Sequence, residues 1–100
     1  MPDNIPAFVL DSFAILSYFQ AEAGGEFVRQ LFESARDGKI VLHSSLVNVG
    51  EMYYLVGREK SKSQAEEMLK DLRELPVTLQ AATEERILSA ARIKSDNPIS

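Results

Sequence analysis

Three short, mainly apolar runs separate longer amphipathic segments along the chain. The runs at residues 7–10, 40–42 and 77–79 are too short for helices, and each is followed by polar residues, which is typical of strands in a parallel sheet. The first run contains no polar residue and ends at Asp11. We therefore predict that residues 7–10 form a central strand covered on both faces.

The segments between the first two strands predict two helices, over residues 12–20 and from residue 27 to a stop at Asp37-Gly38. Gly24-Gly25 separates them, because consecutive glycines break a helix. Apolar residues at helical spacing, expected to face the core, are Phe13, Ile15, Leu16, Phe19, Phe27, Val28, Leu31, Phe32 and Ala35.

Three further helices are predicted by their capping residues. Ser44 or Ser45 can cap a helix that runs to about Gly57. Ser63 and Glu66 match a capping box, which opens a helix to about residue 74. The last helix opens at Thr83 and stops at Asp96-Asn97-Pro98, and its inward residues are expected to be Ile87, Leu88 and Ala91.

The predicted order is β-α-α-β-α-α-β-α, with no hairpin between strands. Strands joined by helices pair in parallel through right-handed crossovers, so we expect one α/β domain over residues 1–100 with three layers. A sheet of three strands leaves two edges, and apolar strands at an edge are open to pairing with another chain.

The amino-acid composition excludes or disfavours several classes of protein. The chain has 100 residues, 45% of them apolar, and a net charge of -4, which disfavours nucleic-acid binding through bulk charge alone. It has no cysteine, which excludes disulfides and thiolate metal sites. No apolar stretch approaches the roughly 18 to 20 residues of a membrane span, and the N-terminus lacks a basic leader. We expect a soluble, cytoplasmic protein with no membrane contact.

Two acidic residues are candidates for a ligand-binding or metal-binding site. Asp11 follows a predicted strand, where ligands bind in open parallel sheets, although it can equally serve as the N-cap of the next helix. Glu51 has largely apolar neighbours on its helix, so its carboxylate either lies at the rim of that patch or pairs with a cation. Asn48, one turn earlier, can orient Glu51 or be an ordinary surface amide.

If Asp11 and Glu51 converge, they form a set of hard oxygen ligands that suits Mg²⁺ or Mn²⁺. Hydrolytic sites commonly use three or four acids, so a third acid is expected. Asp96, Glu22 and Glu26 follow no apolar strand, and we interpret them as turn or surface residues. Tyr18, Tyr53 and Tyr54 can stack bases, but aromatic residues at helical spacing more often belong to the core.

Two segments resemble the first signature regions of PIN-domain proteins, particularly the VapC-type toxins. They are Val9-Leu10-Asp11-Ser12-Phe13-Ala14-Ile15-Leu16 and His43-Ser44-Ser45-Leu46-Val47-Asn48-Val49-Gly50-Glu51. The stretch from Ala90 to Ser100 looks like the approach to the family's third region. The resemblance implies a PIN-like three-layer fold with neighbour order 3-2-1 for the three strands present. It also places the family's third acid and C-terminal strands beyond Ser100, so we expect a C-terminally incomplete PIN-like domain.

The resemblance further implies a Mg²⁺- or Mn²⁺-dependent endoribonuclease, a hydrolase that acts as the toxin of a prokaryotic toxin–antitoxin system. Asp11 and Glu51 would be the catalytic metal ligands, with Ser12 and Asn48 in support. The expected partners are RNA, a cognate antitoxin protein and further copies of the chain. Two alternatives stay open: a catalytically incomplete module that binds an antitoxin or itself, and a small receiver-like interaction domain in which Asp11 is only a cap.

Overall fold

Three strands and five helices make up the part of the chain, residues 5–96, that the computed structural model describes. The side chains of residues 86, 87, 90 and 94 and the predicted helix stop at Asn97-Pro98 lie outside this description. The elements are β1 (Ala7–Val9), α1 (Ser12–Phe19), α2 (Gly25–Arg36), β2 (Val41–Ser45), α3 (Leu46–Glu59), α4 (Lys62–Arg73), β3 (Thr78–Gln80) and α5 (Glu84–Asp96).

The three strands form one parallel sheet in the order β1-β2-β3. This confirms the α/β class, the parallel pairing and the predicted neighbour order. The prediction that residues 7–10 form a central strand is wrong within the described residues, because both crossovers run in the same direction and leave β2 in the middle. The first strand is nonetheless apolar because helices cover it: Val9 and Leu10 are both buried.

Helices α1 to α4 pack over one face of the sheet. Both crossovers move the same way across it, so right-handed connections place their helices on the same side. One cluster of buried side chains fills the space between this face and the helices; it consists of Leu10, Ala14, Ile15, Val28, Phe32, Leu42, Val49, Met52, Val56, Ala65, Met68 and Leu72. The Tyr53 hydroxyl also donates a hydrogen bond to Glu66, which joins α3 to α4 and raises the pKa of Tyr53.

Helix α5 packs against β1 and β2. We infer that it covers the opposite face, since Val9 alternates along β1 with Phe8, which packs against the main cluster, and Val9 lies outside that cluster and is still buried. This arrangement is compatible with three layers. The expectation that Leu88 and Ala91 face inward is wrong, because both side chains are exposed.

Two other details differ from the pattern-based predictions. Ser45 caps α3 as expected, but α4 is capped by Ser61, whose hydroxyl accepts the Gln64 amide at 3.0 Å, and not by Ser63. Phe13 and Phe27 were expected to face the core and are 74% and 53% exposed. In both helices a single apolar residue lies beside the buried stripe and points to solvent. None of the helices in the described part of the chain is long and apolar enough to cross a membrane.

The backbones of α1 and α2 approach each other closely at Gly25. A methyl group on this residue would overlap the Ser17 carbonyl oxygen, so one of the two helices would have to shift. We expect Gly25→Ala to lower the free energy of unfolding by about 1–3 kcal/mol, the usual effect of overpacking. Urea denaturation measures this change.

Gly57→Ala is the matched control on α3. A methyl group there would make an ordinary contact with the Ala65 methyl at 3.9 Å. Replacing a helical glycine under such conditions typically raises stability by about 0.5–1 kcal/mol. If both variants gained stability, the close approach of α1 and α2 would be contradicted.

Candidate metal centre

Asp11 begins α1 directly after the buried end of the first strand. Its Oδ1 atom accepts a hydrogen bond from the Ala14 amide at 2.9 Å, and its backbone is extended, as an N-cap requires. The side chain is half-buried. The capping role considered from the sequence is therefore confirmed, and a cap does not exclude a second role as a ligand.

Leu10, which precedes Asp11, is held by two bonds to β2. Its amide donates to the His43 carbonyl at 2.8 Å, and its carbonyl accepts the buried Ser44 hydroxyl at 2.8 Å. The position of Asp11 is thus determined by the sheet. His43 itself lies in β2, where its Nδ1 atom is 2.9 Å from Nε2 of Gln80.

Glu51 lies on α3, and its side chain is exposed. This agrees with the alternative in which the carboxylate lies at the rim of the apolar patch. Its Oε1 atom accepts a hydrogen bond of 2.6 Å from the Ser12 hydroxyl. Ser12 is 4% exposed and follows Asp11 in the chain. The Glu51 carboxylate is therefore fixed against the residue next to Asp11, although the two acids are 40 positions apart in sequence.

Ser12 thus links the segment around Asp11 to the segment that ends at Glu51. The sequence suggested a supporting role for it and the structure gives the contact that would provide one. Asn48 is half-buried one turn before Glu51 on α3, and within residues 5–96 it makes no hydrogen bond to Glu51. Its supporting role stays a prediction.

The expected third acid is not found near this pair in the described residues. Between residues 5 and 96, no three acidic or histidine side chains come together as a metal-binding group. Glu22 and Glu26 are exposed near the α1–α2 turn, where Glu26 bonds Arg29 and its pKa is lowered by that contact. Asp96 is the last residue of α5 and is also exposed.

Two carboxylates are enough protein ligands for one hard cation and few for two. Mg²⁺ is often held by one or two carboxylates, with water and phosphate oxygens completing its six ligands. The Ser12 bond uses one oxygen of Glu51 and leaves Oε2 for such an ion. Sites that hold two ions commonly need three or four acids, and residues 5–96 contain no such group.

The apolar neighbours of Glu51 on α3 were expected from the sequence, but the exposure of Phe13, Val47 and Tyr54 was missed. Phe13 on α1 is 74% exposed, and Val47 and Tyr54 on α3 are 59% and 61% exposed. The interpretation of Tyr54 as a core residue is therefore wrong, while Tyr18 and Tyr53 are half-buried. The signal available was the position of residues 47, 51 and 54 on one face of α3, opposite the buried Val49, Met52 and Val56.

Comparisons of this chain with protein-family models, with curated proteins and with solved structures found no match.

Proposed function

We propose that the protein is a Mg²⁺- or Mn²⁺-dependent endoribonuclease of the PIN-domain, VapC-toxin type. The observation that supports this best is the Ser12–Glu51 hydrogen bond of 2.6 Å, which joins the two segments that resemble the family's signatures. Asp11 at the end of the first strand and Glu51 on α3 then serve one ion at the edge of a parallel sheet. The protein acts in the cytoplasm as a toxin whose partner is an antitoxin protein.

Each residue has a defined task in this proposal. Asp11 and Glu51 would hold the divalent ion, and Ser12 orients the Glu51 carboxylate through its hydroxyl. The N-cap bond to Ala14 fixes the Asp11 side chain in the same way. The bound ion would supply Lewis-acid stabilisation of the charge that develops on the phosphate during hydrolysis.

A second candidate is a PIN-like module that binds an antitoxin or itself without cleaving RNA. The absence of a third acid near Asp11 and Glu51 among residues 5–96 favours it, since an incomplete ligand set weakens catalysis. The exposed Phe13, Val47 and Tyr54 are also typical of a binding surface. In the third alternative, a receiver-like interaction domain, Asp11 has only the capping role.

Binding of Mn²⁺, followed by electron paramagnetic resonance, tests the site. Asp11→Asn keeps a capping side chain and removes the charge, whereas Asp11→Ala removes both. We expect Asp11→Asn and Glu51→Gln to lower Mn²⁺ affinity about tenfold or more, because even the loss of an outer partner commonly costs about 10- to 100-fold. Only Asp11→Ala should also lower the free energy of unfolding, by about 0.5–2 kcal/mol.

The control is Glu67→Gln on α4, an exposed acid on another helix. Its Mn²⁺ affinity should equal that of the wild type, and equal affinity in all three acid variants would contradict the site. Incubation with single-stranded RNA then separates the first two functions. Mg²⁺-dependent cleavage that EDTA and Glu51→Gln abolish supports the nuclease, and Mn²⁺ binding with intact RNA supports the binding module.

A further inference from the structure

A cavity of about 250 Å³ lies between α1 and α3. The side that α1 and its C-cap contribute consists of Phe13, Leu16, Ser17 and Gln20. Residues at this spacing share one face of a helix. Phe13 directly follows Ser12, so this side of the cavity starts beside the candidate metal centre.

The opposite side of the cavity starts equally close to the metal centre. It includes Leu55 and Val56 of α3, and Leu55 is four residues after Glu51, or about 6 Å along the helix axis. The two helices run in the same direction, because each follows a strand of one parallel sheet and both cover the same face. We call the space lined by these residues of both helices the α1–α3 cleft.

Phe13 provides an open aromatic face at the end of the cleft next to the metal centre. It is 74% exposed, more than any other large apolar side chain in the described part of the chain. Proteins that recognise single-stranded RNA commonly stack unpaired bases on such rings. The cleft is smaller than the roughly 300–1,000 Å³ of pockets for drug-sized ligands, so its size suits a single nucleobase.

Ser17 and Gln20 provide polar groups that can bond the edge of a base. The Ser17 hydroxyl donates to the Ala14 carbonyl at 2.7 Å, which leaves its oxygen as an acceptor. The Gln20 amide has both a donor and an acceptor, the combination that pairs with adenine. Adenine has an exocyclic amino group for these acceptors, and uracil has none.

The charges in the remainder of the cleft favour a base over a second phosphate group. Glu22, Glu59 and Lys60 also line it, and together they add one negative charge. The chain as a whole carries a net charge of -4. A phosphate would be repelled there, whereas an uncharged base would not.

We propose that the α1–α3 cleft receives one unpaired nucleobase of single-stranded RNA, with adenine preferred over uracil. Phe13 stacks on the base and Gln20 bonds its edge, so these two residues determine specificity. The phosphate that adjoins this nucleotide then lies at the metal centre. The position of the phosphate rests on the proposed nuclease function, whereas recognition of the base does not.

Fluorescence anisotropy with labelled hexanucleotides tests the proposal, with phosphorothioate linkages to resist hydrolysis. One probe has a single adenosine among abasic positions, a second has a single uridine, and a third is wholly abasic. In Mn²⁺, the wild type should bind the adenosine probe about 5- to 150-fold more tightly than the abasic probe, the usual effect of one stacked base. Its affinity for the uridine probe should lie between the two.

Variants at Phe13 and Gln20 separate stacking from edge recognition. Phe13→Ala should lower the affinity for the adenosine probe to that for the abasic probe and leave Mn²⁺ affinity unchanged, whereas Phe13→Tyr should retain wild-type binding. Gln20→Ala should bind the adenosine and uridine probes alike. Phe27→Ala, which truncates an exposed phenylalanine on α2, is the matched control and should bind all probes as the wild type does.

The proposal is overturned if the wild type binds the adenosine and abasic probes equally or binds neither. It is also overturned if Phe13→Ala weakens both probes to the same extent. Mn²⁺-dependent RNA cleavage with the same base preference in the wild type and Phe13→Ala would retain the nuclease and exclude the cleft. Binding of the adenosine probe that depends on Phe13 but not on Mn²⁺ would support the cleft and contradict the nuclease.

Discussion

Replacing Phe32 by alanine is expected to lower the free energy of unfolding by about 3–5 kcal/mol. Phe32 is 2% exposed, and its ring packs edge-on against Tyr18 with the centroids 4.9 Å apart. The truncation would leave a cavity between α1, α2 and the sheet. Since domains of this kind are stable by about 5–15 kcal/mol, the variant should be partly unfolded at room temperature or melt far below the wild type. Calorimetry or guanidinium denaturation measures the loss.

Phe27→Ala on the same helix is the control for this prediction. Phe27 is 53% exposed, so its truncation removes the same atoms from α2 without opening the core. We expect a change within about 1 kcal/mol, as for most surface substitutions. Comparable losses in the two variants would mean that α2 presents a different face to the sheet.

Ser44→Ala is expected to lower both the free energy of unfolding, by about 1–3 kcal/mol, and the affinity of the site for Mn²⁺. The Ser44 side chain is 1% exposed, and its hydroxyl donates to the Leu10 carbonyl at 2.8 Å. Removing the hydroxyl removes this hydrogen bond to the Leu10 carbonyl, which lies between β1 and Asp11. Mn²⁺ affinity should fall as well, because the variant loosens the strand end that positions Asp11.

Ser63→Ala on α4 is the matched control for Ser44→Ala. Ser63 is exposed and does not cap the helix, so both stability and Mn²⁺ affinity should stay near the wild-type values. An unchanged denaturation midpoint in Ser44→Ala would contradict the role given to the buried hydroxyl.

The fold class followed from local patterns that depend on few residues. Apolar runs predicted all three strands, and the helical connections between them implied parallel pairing, which the sheet confirms. The position of β1 could not be read in this way, because covering helices make an edge strand as apolar as a central one. The cap of α4 was missed since Ser61 and Ser63 both match a capping pattern, and only the backbone distinguishes them.

The candidate site was predicted as two separate acids. Sequence patterns identified the strand end before Asp11 and the apolar surroundings of Glu51, but not the Ser12 hydroxyl that connects them across 39 positions. The exposure of Phe13 could not be predicted from the sequence either. Five of the eight residues of α1 are apolar besides its tyrosine, so its periodicity does not tell which side meets the core.

Neighbouring strands of the sheet are also consecutive in the chain, and this has a consequence for synthesis on the ribosome. Each new strand finds its partner already made, so the sheet can grow in the order in which the chain emerges. Asp11, Ser12 and Glu51 all precede α4 and β3. The contact between Ser12 and Glu51 can therefore form once β2 and α3 have left the exit tunnel, before β3 has emerged from it.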